Sequence, residues 1–360
     1  MLELLPKIAK YKIARAIGGH CPLPMNYTIS LLYTCNSRCS TCNIYNKTAK
    51  NLTLSEYKAI FKYLGKSPYW ITFSGGEPFL RPDIDEICQA VYKQCRPAIV
   101  NIPTNGILTE TIIEKVKIMT SSCPKTQFVL NLSIDGVGEQ HDKIRNVEGN
   151  YEKVIATYHG LRSLQAKNLS IGIHTVISAI NVHDFHNIAT ELMKYKPDSY
   201  ITEIAEERVE LDTIGANITP DLVAYKAAID FLIHRIKNGK YKGIGKITEA
   251  FRIEYYELVK MIMRDKKQII PCYSGIASAQ ISPDGDIWSC CIKARPLGNL
   301  RENDYNFKRI WNNQNAILER NSVKNKECWC PLANASYTNM LMNIPILWRV
   351  FIRSFIKWYN

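Results

Sequence analysis

The sequence predicts an α/β fold: a partial (β/α)6 TIM-like barrel built on a parallel sheet, followed by a small cysteine-rich α+β module. Three observations support this prediction. Segments rich in β-forming residues alternate with helical segments between residues 26 and 204, polar motifs follow the ends of successive strands, and a second group of cysteines begins at Cys272. Alternating strands and helices form βαβ units, and α/β barrels carry their chemistry at the carboxyl ends of the strands.

Strands and helices can be assigned in order along the barrel. The segment NYTISLLY at residues 26–33 predicts a buried first strand. Thr53 and Glu56 have the spacing of a capping box, which predicts the start of the helix that follows them. Five further strands are predicted at residues 69–73, 98–102, 127–134, 169–177 and 199–204, and helices at 83–94, 109–119, 150–166 and 184–195.

The composition is that of an ordinary globular protein with a basic bias. Of the 360 residues, 46% are hydrophobic and 22% are charged, and 46 lysines and arginines against 33 acids give a net charge of +13. Such a charge favours anionic partners. Nucleic acid is not the expected partner, because the basic residues are dispersed rather than gathered on one motif. The N-terminus does not resemble a secretory signal, and no apolar run reaches the ~18 residues of a spanning helix. We therefore expect a cytoplasmic protein.

We expect five segments along the chain. They are a basic amphipathic N-terminal segment (1–24), the barrel (25–210), a helical connection (211–270), the cysteine-rich module (271–335) and an amphipathic C-terminal helix (336–360).

The C-terminal segment has the pattern of a basic amphipathic helix. Arg349, Arg353 and Lys357 fall four residues apart, on one helical stripe, and Trp348 and Phe351 belong to the apolar remainder of the surface. This pattern is typical of a helix that lies in a membrane interface, so peripheral contact with the inner face of the membrane is one hypothesis. A helix docked on the body of the protein, with its cations in water, explains the pattern equally well.

A short loop with three cysteines follows the first predicted strand. Cys35, Cys39 and Cys42 lie in the stretch CNSRCSTC, where a folded loop can turn all three thiols toward one centre. Thiolates are soft ligands that bind iron–sulfur clusters or zinc. A four-iron cluster held by three cysteines would leave one iron open for a substrate or cofactor. The alternatives are a zinc loop completed by a distant His or Cys, and a disulfide with a spare thiol.

A glycine-rich turn follows the second predicted strand. Gly75 and Gly76 would let the backbone approach a ligand closely, and the Glu77 carboxylate can receive an ammonium group. An ordinary strand-to-helix turn would also explain these glycines and Pro78. However, a three-cysteine C-x3-C-x2-C loop followed one βα unit later by GGE resembles the radical S-adenosylmethionine (radical SAM) enzymes. This resemblance independently implies a (β/α)6 partial barrel.

The resemblance also implies a cofactor site. A [4Fe–4S] cluster is expected on the three cysteines of the loop, with its open iron chelating the amino and carboxylate groups of SAM. The SAM amino group would then contact Gly75, Gly76 and Glu77.

Polar residues also follow the next two predicted strands. The resemblance implies that Ser133 and Arg145 hold the SAM carboxylate, and that Asn105 and Asp135 contact ribose or substrate. Ordinary turn chemistry could explain each motif singly. The chain departs from the family at Thr41, where an aromatic residue often precedes the third cysteine. The adenine contact is therefore assigned either to Tyr45 or to the fifth strand near Ile173.

A second cysteine pattern begins near residue 272. The segment SPDG at residues 282–285 predicts a hairpin turn. The C-x12-G-x4-C run, the LGNL stretch and the IWN segment resemble the SPASM/Twitch module of radical SAM enzymes, which binds auxiliary [4Fe–4S] clusters. Inert core thiols and a zinc site are the alternatives. One auxiliary cluster is expected, with Cys291 as an alternative to Cys290 in the ligand set Cys272, Cys290, Cys328 and Cys330.

The resemblance implies an enzyme that reductively cleaves SAM to a 5′-deoxyadenosyl radical, which abstracts hydrogen from a substrate. The auxiliary cluster would assist oxidation, and a flavodoxin or ferredoxin would supply the electron. The net charge of +13 and the amphipathic termini favour an anionic or lipid-linked small molecule as substrate. Modification of a peptide or protein side chain is the first alternative. A non-catalytic iron–sulfur or zinc-binding protein is the alternative of another class.

Overall fold

The computed structural model describes residues 4–355 and has the predicted α/β architecture. Within these residues one sheet has nine strands, in the order β6-β5-β4-β3-β2-β1-β7-β8-β9. The strands are β1 (Asn26–Ser30), β2 (Trp70–Ser74), β3 (Ile99–Thr104), β4 (Gln127–Ser133), β5 (Leu169–Ile177), β6 (Ser199–Ile204), β7 (Ser278–Ile281), β8 (Asp286–Trp288) and β9 (Pro296–Asn299).

Helices cover the sheet and build the connection and the C-terminal part. They are α1 (Leu4–Ile17), α2 (Leu54–Leu64), α3 (Ile84–Gln94), α4 (Thr109–Ser122), α5 (Glu139–Arg145), α6 (Asn150–Ser163), α7 (Phe185–Met193), α8 (Leu222–Asn238), α9 (Ile244–Asp265), α10 (Phe307–Trp311), α11 (Gln314–Lys324), α12 (Ala333–Leu341) and α13 (Ile344–Phe355).

Strands β1 to β6 are parallel neighbours in sequence order, as expected for six successive βα units. Their carboxyl ends therefore meet at one edge. The cysteine-rich part does not form a separate sheet: β7 pairs in parallel with the free side of β1, so that Tyr27 lies between Ile71 and Ala279. Strands β8 and β9 then continue the sheet in antiparallel pairing.

Several local predictions agree with the structure. Thr53 and Glu56 form the capping box at the start of α2: the Thr53 amide donates to Glu56 Oε2 at 2.7 Å, and the Glu56 amide donates to Thr53 Oγ1 at 3.3 Å. The hairpin turn at residues 282–285 joins the antiparallel strands β7 and β8, and Gly285 takes a positive φ of 90° there.

Two elements differ from the sequence prediction. The first strand ends at Ser30 rather than at residue 33, because the chain then leaves β1 to pack against the turn after β2: the Gly76 amide donates to Leu32 O at 2.8 Å. The short helix α5 was not predicted. It has seven residues and begins after Gly138, which provides no capping side chain.

The C-terminal helix α13 packs on α9 through its basic stripe. Arg349 and Arg353 donate to the buried carboxylate of Glu254, at 2.7 and 3.0 Å. The cations predicted to be solvated are therefore paired with the body of the protein, and Trp348 and Phe351 are exposed instead. Lys357, the third predicted cation of the stripe, lies outside the described residues. Within residues 4–355, none of the helices is both long enough and apolar enough to span a membrane.

Candidate active site

A cavity of about 590 Å³ opens at the carboxyl ends of the barrel strands and reaches the cysteine-rich part. It is lined by the three cysteines of the first loop, by the residues of the GGE turn, and by the predicted polar contacts from Asn105 to Arg145 on α5. Among the predicted auxiliary cysteines, Cys290 lines this cavity, whereas Cys272, Cys328 and Cys330 lie outside its lining. The cavity therefore connects the two predicted cluster sites.

Backbone hydrogen bonds fix the three-cysteine loop from both sides. On one side, the amides of Arg38 and Ser40 donate to the last carbonyls of α5, Arg145 O at 3.1 Å and Ile144 O at 2.9 Å. On the other side, the amide of Glu77 donates to Thr34 O at 3.0 Å. The last carbonyl groups of a helix have no partner within the helix, and here they accept hydrogen bonds from the loop amides. The unpredicted helix α5 is therefore a structural support of the cysteine loop.

The loop thiols lie in an environment that opposes their ionisation. Burial first, and neighbouring loop thiols to a smaller extent, raise the pKa of Cys35 to about 11 and that of Cys42 to about 12. Arg145 Nη1 lies 3.6 Å from Cys39 Sγ. Metal ligands must be thiolates, so a cationic metal centre would provide the charge that these thiols need. Within residues 4–355, no three His, Cys, Asp or Glu side chains are grouped to hold a single metal ion.

The two glycines after β2 are required by the packing of the chain itself. A Cβ atom on Gly75 would lie 2.1 Å from Leu32 O, and one on Gly76 would lie 2.1 Å from Thr34 O. Both contacts are with backbone atoms of the segment that leads from β1 into the cysteine loop. The glycines thus allow the two loops to touch, a reason that the sequence did not reveal. Their contact with SAM stays a prediction.

Glu77 is buried and already accepts three hydrogen bonds. Its Oε1 accepts from the Phe79 amide at 3.1 Å and from Thr104 Oγ1 at 2.8 Å, and Oε2 accepts from the Asn105 amide at 2.8 Å. Burial nevertheless raises the pKa of Glu77 to about 7. A carboxylate has about four acceptor positions, so one remains on Oε2, which suits the predicted ammonium group of SAM.

The side chain of Asn105 faces the cysteine loop. Its amide Nδ2 donates to Asn36 Oδ1 at 2.7 Å and to Ser37 Oγ at 3.0 Å, and its Oδ1 accepts from the Ile107 amide. These bonds give Asn105 a role in positioning the loop that holds Cys35. The predicted contact of Asn105 with ribose or substrate is not tested by this arrangement and stays a prediction.

Asp135 and Arg145 form a buried ion pair, with 2.7 Å between Asp135 Oδ2 and Arg145 Nη2. Asp135 is further fixed by the Val176 amide, which donates to its Oδ1, and by His141 Nδ1, which accepts from the Asp135 amide at 3.1 Å. Burial lowers the pKa of His141 to about 4, so this ring is neutral near pH 7. The guanidinium Nε of Arg145 is buried and has no partner, and it could therefore donate to a carboxylate.

Other unpartnered polar atoms face the same cavity. Ser133, at the end of β4, lies in register with His174 on β5, and both residues line the cavity. His174 Nε2 and Asn131 Oδ1 are buried without a hydrogen-bond partner. Most buried polar groups in proteins are paired, so a group of unpaired ones along one cavity fits a polar ligand such as SAM.

The residues suggested for adenine do not reach this cavity. Tyr45 lies outside its lining and stacks under Arg38, whose guanidinium carbon is 4.4 Å from the ring centroid. Ile173 is fully buried in the barrel core. Thr41, Ile44 and Val176 line the cavity in their place. Ile173 and Val176 point to opposite faces of the sheet, so the adenine contact on the fifth strand near Ile173 stays a prediction.

Four cysteines of the C-terminal part are electrostatic neighbours. Burial raises the pKa of Cys290 to about 11, and the thiols of Cys272 and Cys328 add to this effect. The pKa of Cys330 is likewise raised, first by burial and also by Cys272 and Cys290. Cys291 is buried beside Glu210 and Arg208, and Cys290 and Cys330 are also among its neighbours. The choice between Cys290 and Cys291 and the ligand set of four stay predictions.

The segment 205–213 follows β6 and lines the cavity with Glu206, Arg208 and Glu210, none of which was predicted as a site residue. Glu210 Oε1 accepts hydrogen bonds from Ser30 Oγ at the end of β1 and from Gln280 on β7. A signal was available: these charged residues directly follow a barrel strand, which is where barrel folds place functional groups.

Two family models match the chain. The model of the radical SAM superfamily matches residues 29–192, and that of SPASM, an iron–sulfur cluster-binding domain, matches residues 272–331. These ranges contain the three-cysteine loop with its GGE turn and the C-terminal cysteines, respectively.

Relatives and solved structures agree with these matches. The subtilosin biosynthesis protein AlbA of Bacillus subtilis is 20% identical over 352 residues, covering 92% of this chain and 71% of AlbA. The Fe-coproporphyrin III synthase of Methanosarcina barkeri is 26% identical, covering 77% of this chain and 71% of that enzyme. The crystal structure of Streptococcus suis SuiB bound to S-adenosylmethionine has a TM-score of 0.61 at 15% identity, covering 87% of this chain and 71% of SuiB.

The superfamily match implies a [4Fe–4S] cluster and SAM as cofactors, and the SPASM match implies auxiliary iron–sulfur binding. The residues around the cavity fit both groups in the chemistry of their donors. The resemblance drawn from the cysteine loop and the GGE turn is thus confirmed: the chain is an enzyme of the radical SAM superfamily that carries a SPASM iron–sulfur cluster-binding domain.

Proposed function

We propose that this enzyme oxidises a substrate bound between its SAM site and one auxiliary cluster. When bound, the loop cluster and SAM would supply a 5′-deoxyadenosyl radical for hydrogen abstraction, with the electron coming from the reducing partner, and the auxiliary cluster would supply an acceptor for the electron of the substrate radical. The protein binds SAM through the residues that follow β1 to β4 and holds the auxiliary cluster on Cys272, Cys290, Cys328 and Cys330. The observation that supports this proposal is the single cavity lined by both Cys35 and Cys290.

A peptide substrate is favoured by the charges of the cavity and by the relatives. The described lining has five acids and three arginines, so it does not share the excess of positive charge that suggested an anionic substrate. SuiB has been crystallised with its precursor peptide SuiA, at a TM-score of 0.60 to this chain. AlbA, by its name, serves in the biosynthesis of a bacteriocin.

An anionic small molecule remains the second candidate. The observation in its favour is the relative from Methanosarcina barkeri, whose name specifies a porphyrin product and which is 26% identical to this chain. The net charge of +13 also favours it. A reducing partner of the flavodoxin or ferredoxin type is proposed for both candidates.

Removing the loop thiols tests the proposed SAM chemistry. We expect replacement of Cys35, Cys39 and Cys42 by Ala to reduce 5′-deoxyadenosine formation to background, because no iron would be left to bind SAM. The measurement is anaerobic product analysis with SAM and a chemical reductant. As a control, Cys123→Ala removes a buried thiol that belongs to neither predicted cluster site and should retain product formation. Deoxyadenosine formation by the triple variant would contradict the assignment.

Peripheral membrane contact is a separate proposal, which rests on α13. Trp348, Phe351 and Phe355 form an outward stripe in which the centroids of adjacent rings are 5.7 and 4.8 Å apart. Each of these residues is more than half exposed, at 62%, 51% and 66%. Aromatic residues on one helical face are typical of helices that lie in a membrane interface.

A further inference from the structure

The segment 205–213 after β6 connects the two cysteine sites. On the barrel side, the amide of Asn43, the residue after Cys42, donates to Leu211 O at 2.9 Å. On the other side, the amides of Val209 and Glu210 donate to Ile292 O and Cys291 O, each at 3.4 Å. Side chains of this segment that face the cavity therefore lie where a substrate would meet both sites.

Glu206 is a buried carboxylate without hydrogen bonds. The residue is 7% exposed, and neither Oε1 nor Oε2 has a donor. The side chain of its neighbour Arg208 is 17% exposed, but the Nε atom is buried and lies 3.4 Å from Glu206 Oε2 without forming a hydrogen bond. An unsatisfied buried charged group costs more than a neutral one, so the pair is expected to bind something that completes it.

The pair lies toward the auxiliary side of the cavity. Arg208 directly precedes Val209 and Glu210, whose amides donate to backbone carbonyls of the cysteine-rich part, and Glu206 pairs with Arg208. On the SAM side, by contrast, the cation next to the loop thiols is Arg145. The Glu206–Arg208 pair is therefore distinct from the predicted SAM contacts.

The unsatisfied atoms of the pair define what it can bind. In its ionised form Glu206 offers acceptors only, and Arg208 Nε offers a donor. Glu203 Oε2 lies 3.8 Å from Arg208 Nη2, and His174 Nε2 lies 3.7 Å from Glu203 Oε1, so two carboxylates surround the guanidinium. A carboxylate or phosphate group would be repelled by these acids, and an ammonium group would be repelled by Arg208. One residue of an extended peptide has an N–H donor and a C=O acceptor on the same side, and these can pair with an oxygen of Glu206 and with Arg208 Nε.

We propose that Glu206 and Arg208 bind the backbone of one residue of a peptide substrate, with the N–H of that residue donating to Glu206 and Arg208 Nε donating to its carbonyl oxygen. This inference rests on the proposed function and deepens it, because it places the backbone of a peptide at a defined point beside the auxiliary site. The two residues then determine substrate specificity and position the carbon to be oxidised.

A small diamide tests the inference without knowledge of the substrate. N-acetylglycine N-methylamide is titrated onto the reconstituted protein with SAM bound, and binding is followed by ligand-detected NMR. We expect Glu206→Leu and Arg208→Leu each to weaken binding about tenfold or more, the effect of losing a hydrogen bond to a charged group. Glu206→Gln keeps an acceptor and should retain much of the affinity, which a purely structural role would not predict.

The matched control is Glu207→Gln. Glu207 belongs to the same segment, but its carboxylate lies outside the cavity lining and accepts from the amides of Gly215 and Asn217. An equal loss of diamide binding in Glu207→Gln would overturn the inference, since the segment as a whole would then be disturbed. An equal loss of SAM affinity in Glu206→Leu would also overturn it, because the pair would then belong to the SAM site.

Two counter-probes test the class of ligand. Tighter binding of methylammonium or acetate than of the diamide to the wild-type protein would overturn the assignment to an amide. Failure of this inference is distinguishable from failure of the proposed function: a wild-type protein that forms deoxyadenosine from SAM but does not bind the diamide retains the proposed chemistry and refutes only the role of Glu206 and Arg208.

Discussion

Arg145 combines several tasks in one side chain. Its Nη2 pairs with Asp135, its Nη1 points to Cys39 Sγ, and its backbone carbonyl accepts from the amide of Arg38 in the cysteine loop. The planar guanidinium has five N–H donors in a fixed fork, and Nε is left without a partner. The same residue thus stabilises the cluster loop and offers a donor for the SAM carboxylate.

Arg145→Lys should separate these tasks, because lysine keeps the positive charge but has no Nε donor and no fork. We expect SAM affinity to fall about tenfold or more, with little loss of iron from the reconstituted protein. Isothermal titration of SAM under anaerobic conditions measures the effect. Arg162→Lys, which changes an arginine paired with Asp198 at the surface, is the control. Unchanged SAM affinity in Arg145→Lys would contradict the predicted carboxylate contact.

At the scale of elements, the loops after β1 and β2 form one unit. The glycines of the GGE turn allow close contact with the backbone before the cysteine loop, and the Glu77 amide donates to Thr34 O. Asn105, after β3, donates hydrogen bonds to Asn36 and Ser37. The ends of β2 and β3 therefore support the cysteine loop, which follows β1.

Gly76→Ala tests this unit. The added Cβ would lie 2.1 Å from Thr34 O, a backbone atom that cannot move without shifting the loop. Overpacking of this kind costs about 1–3 kcal/mol, so we expect a lower melting temperature and a lower iron content. Gly245→Ala in α9 is the control. Its nearest neighbour would be 3.9 Å away, and alanine should stabilise the helix by about 0.5 kcal/mol. Equal melting temperatures of Gly76→Ala and wild type would contradict the packing argument.

The exposed stripe on α13 makes a prediction about membranes. Replacing Trp348 and Phe351 together by Ser should weaken binding to anionic liposomes about tenfold or more, since each buried aromatic side chain contributes about 1.5–3 kcal/mol. Sedimentation with vesicles measures the binding. Leu318→Ser, which removes an exposed apolar side chain from α11, is the matched control. Equal binding of the double variant and the wild type would contradict the proposed contact.

At the scale of the whole molecule, the sequence predicted what depends on local pattern and on the rule for parallel sheets. Strand ends meet at one edge, so Cys35, Glu77, Asn105 and Asp135 could be placed in one site from the order of strands alone. The pairing of β7 with β1 could not be predicted, because about 250 residues separate the strands and either edge strand of the barrel, β1 or β6, could accept a new neighbour. The Glu206–Arg208 pair was not predicted, because the lack of hydrogen-bond partners for its buried atoms is visible only in the packed structure.

The measurement that tests the central claim most directly is the content of iron and labile sulfide per chain after anaerobic purification and reconstitution. Two [4Fe–4S] clusters, one on the three-cysteine loop and one on the four C-terminal cysteines, predict about eight irons and about eight sulfides. About four of each would contradict the auxiliary cluster and the oxidation assigned to it. Zinc in place of iron would contradict the account as a whole.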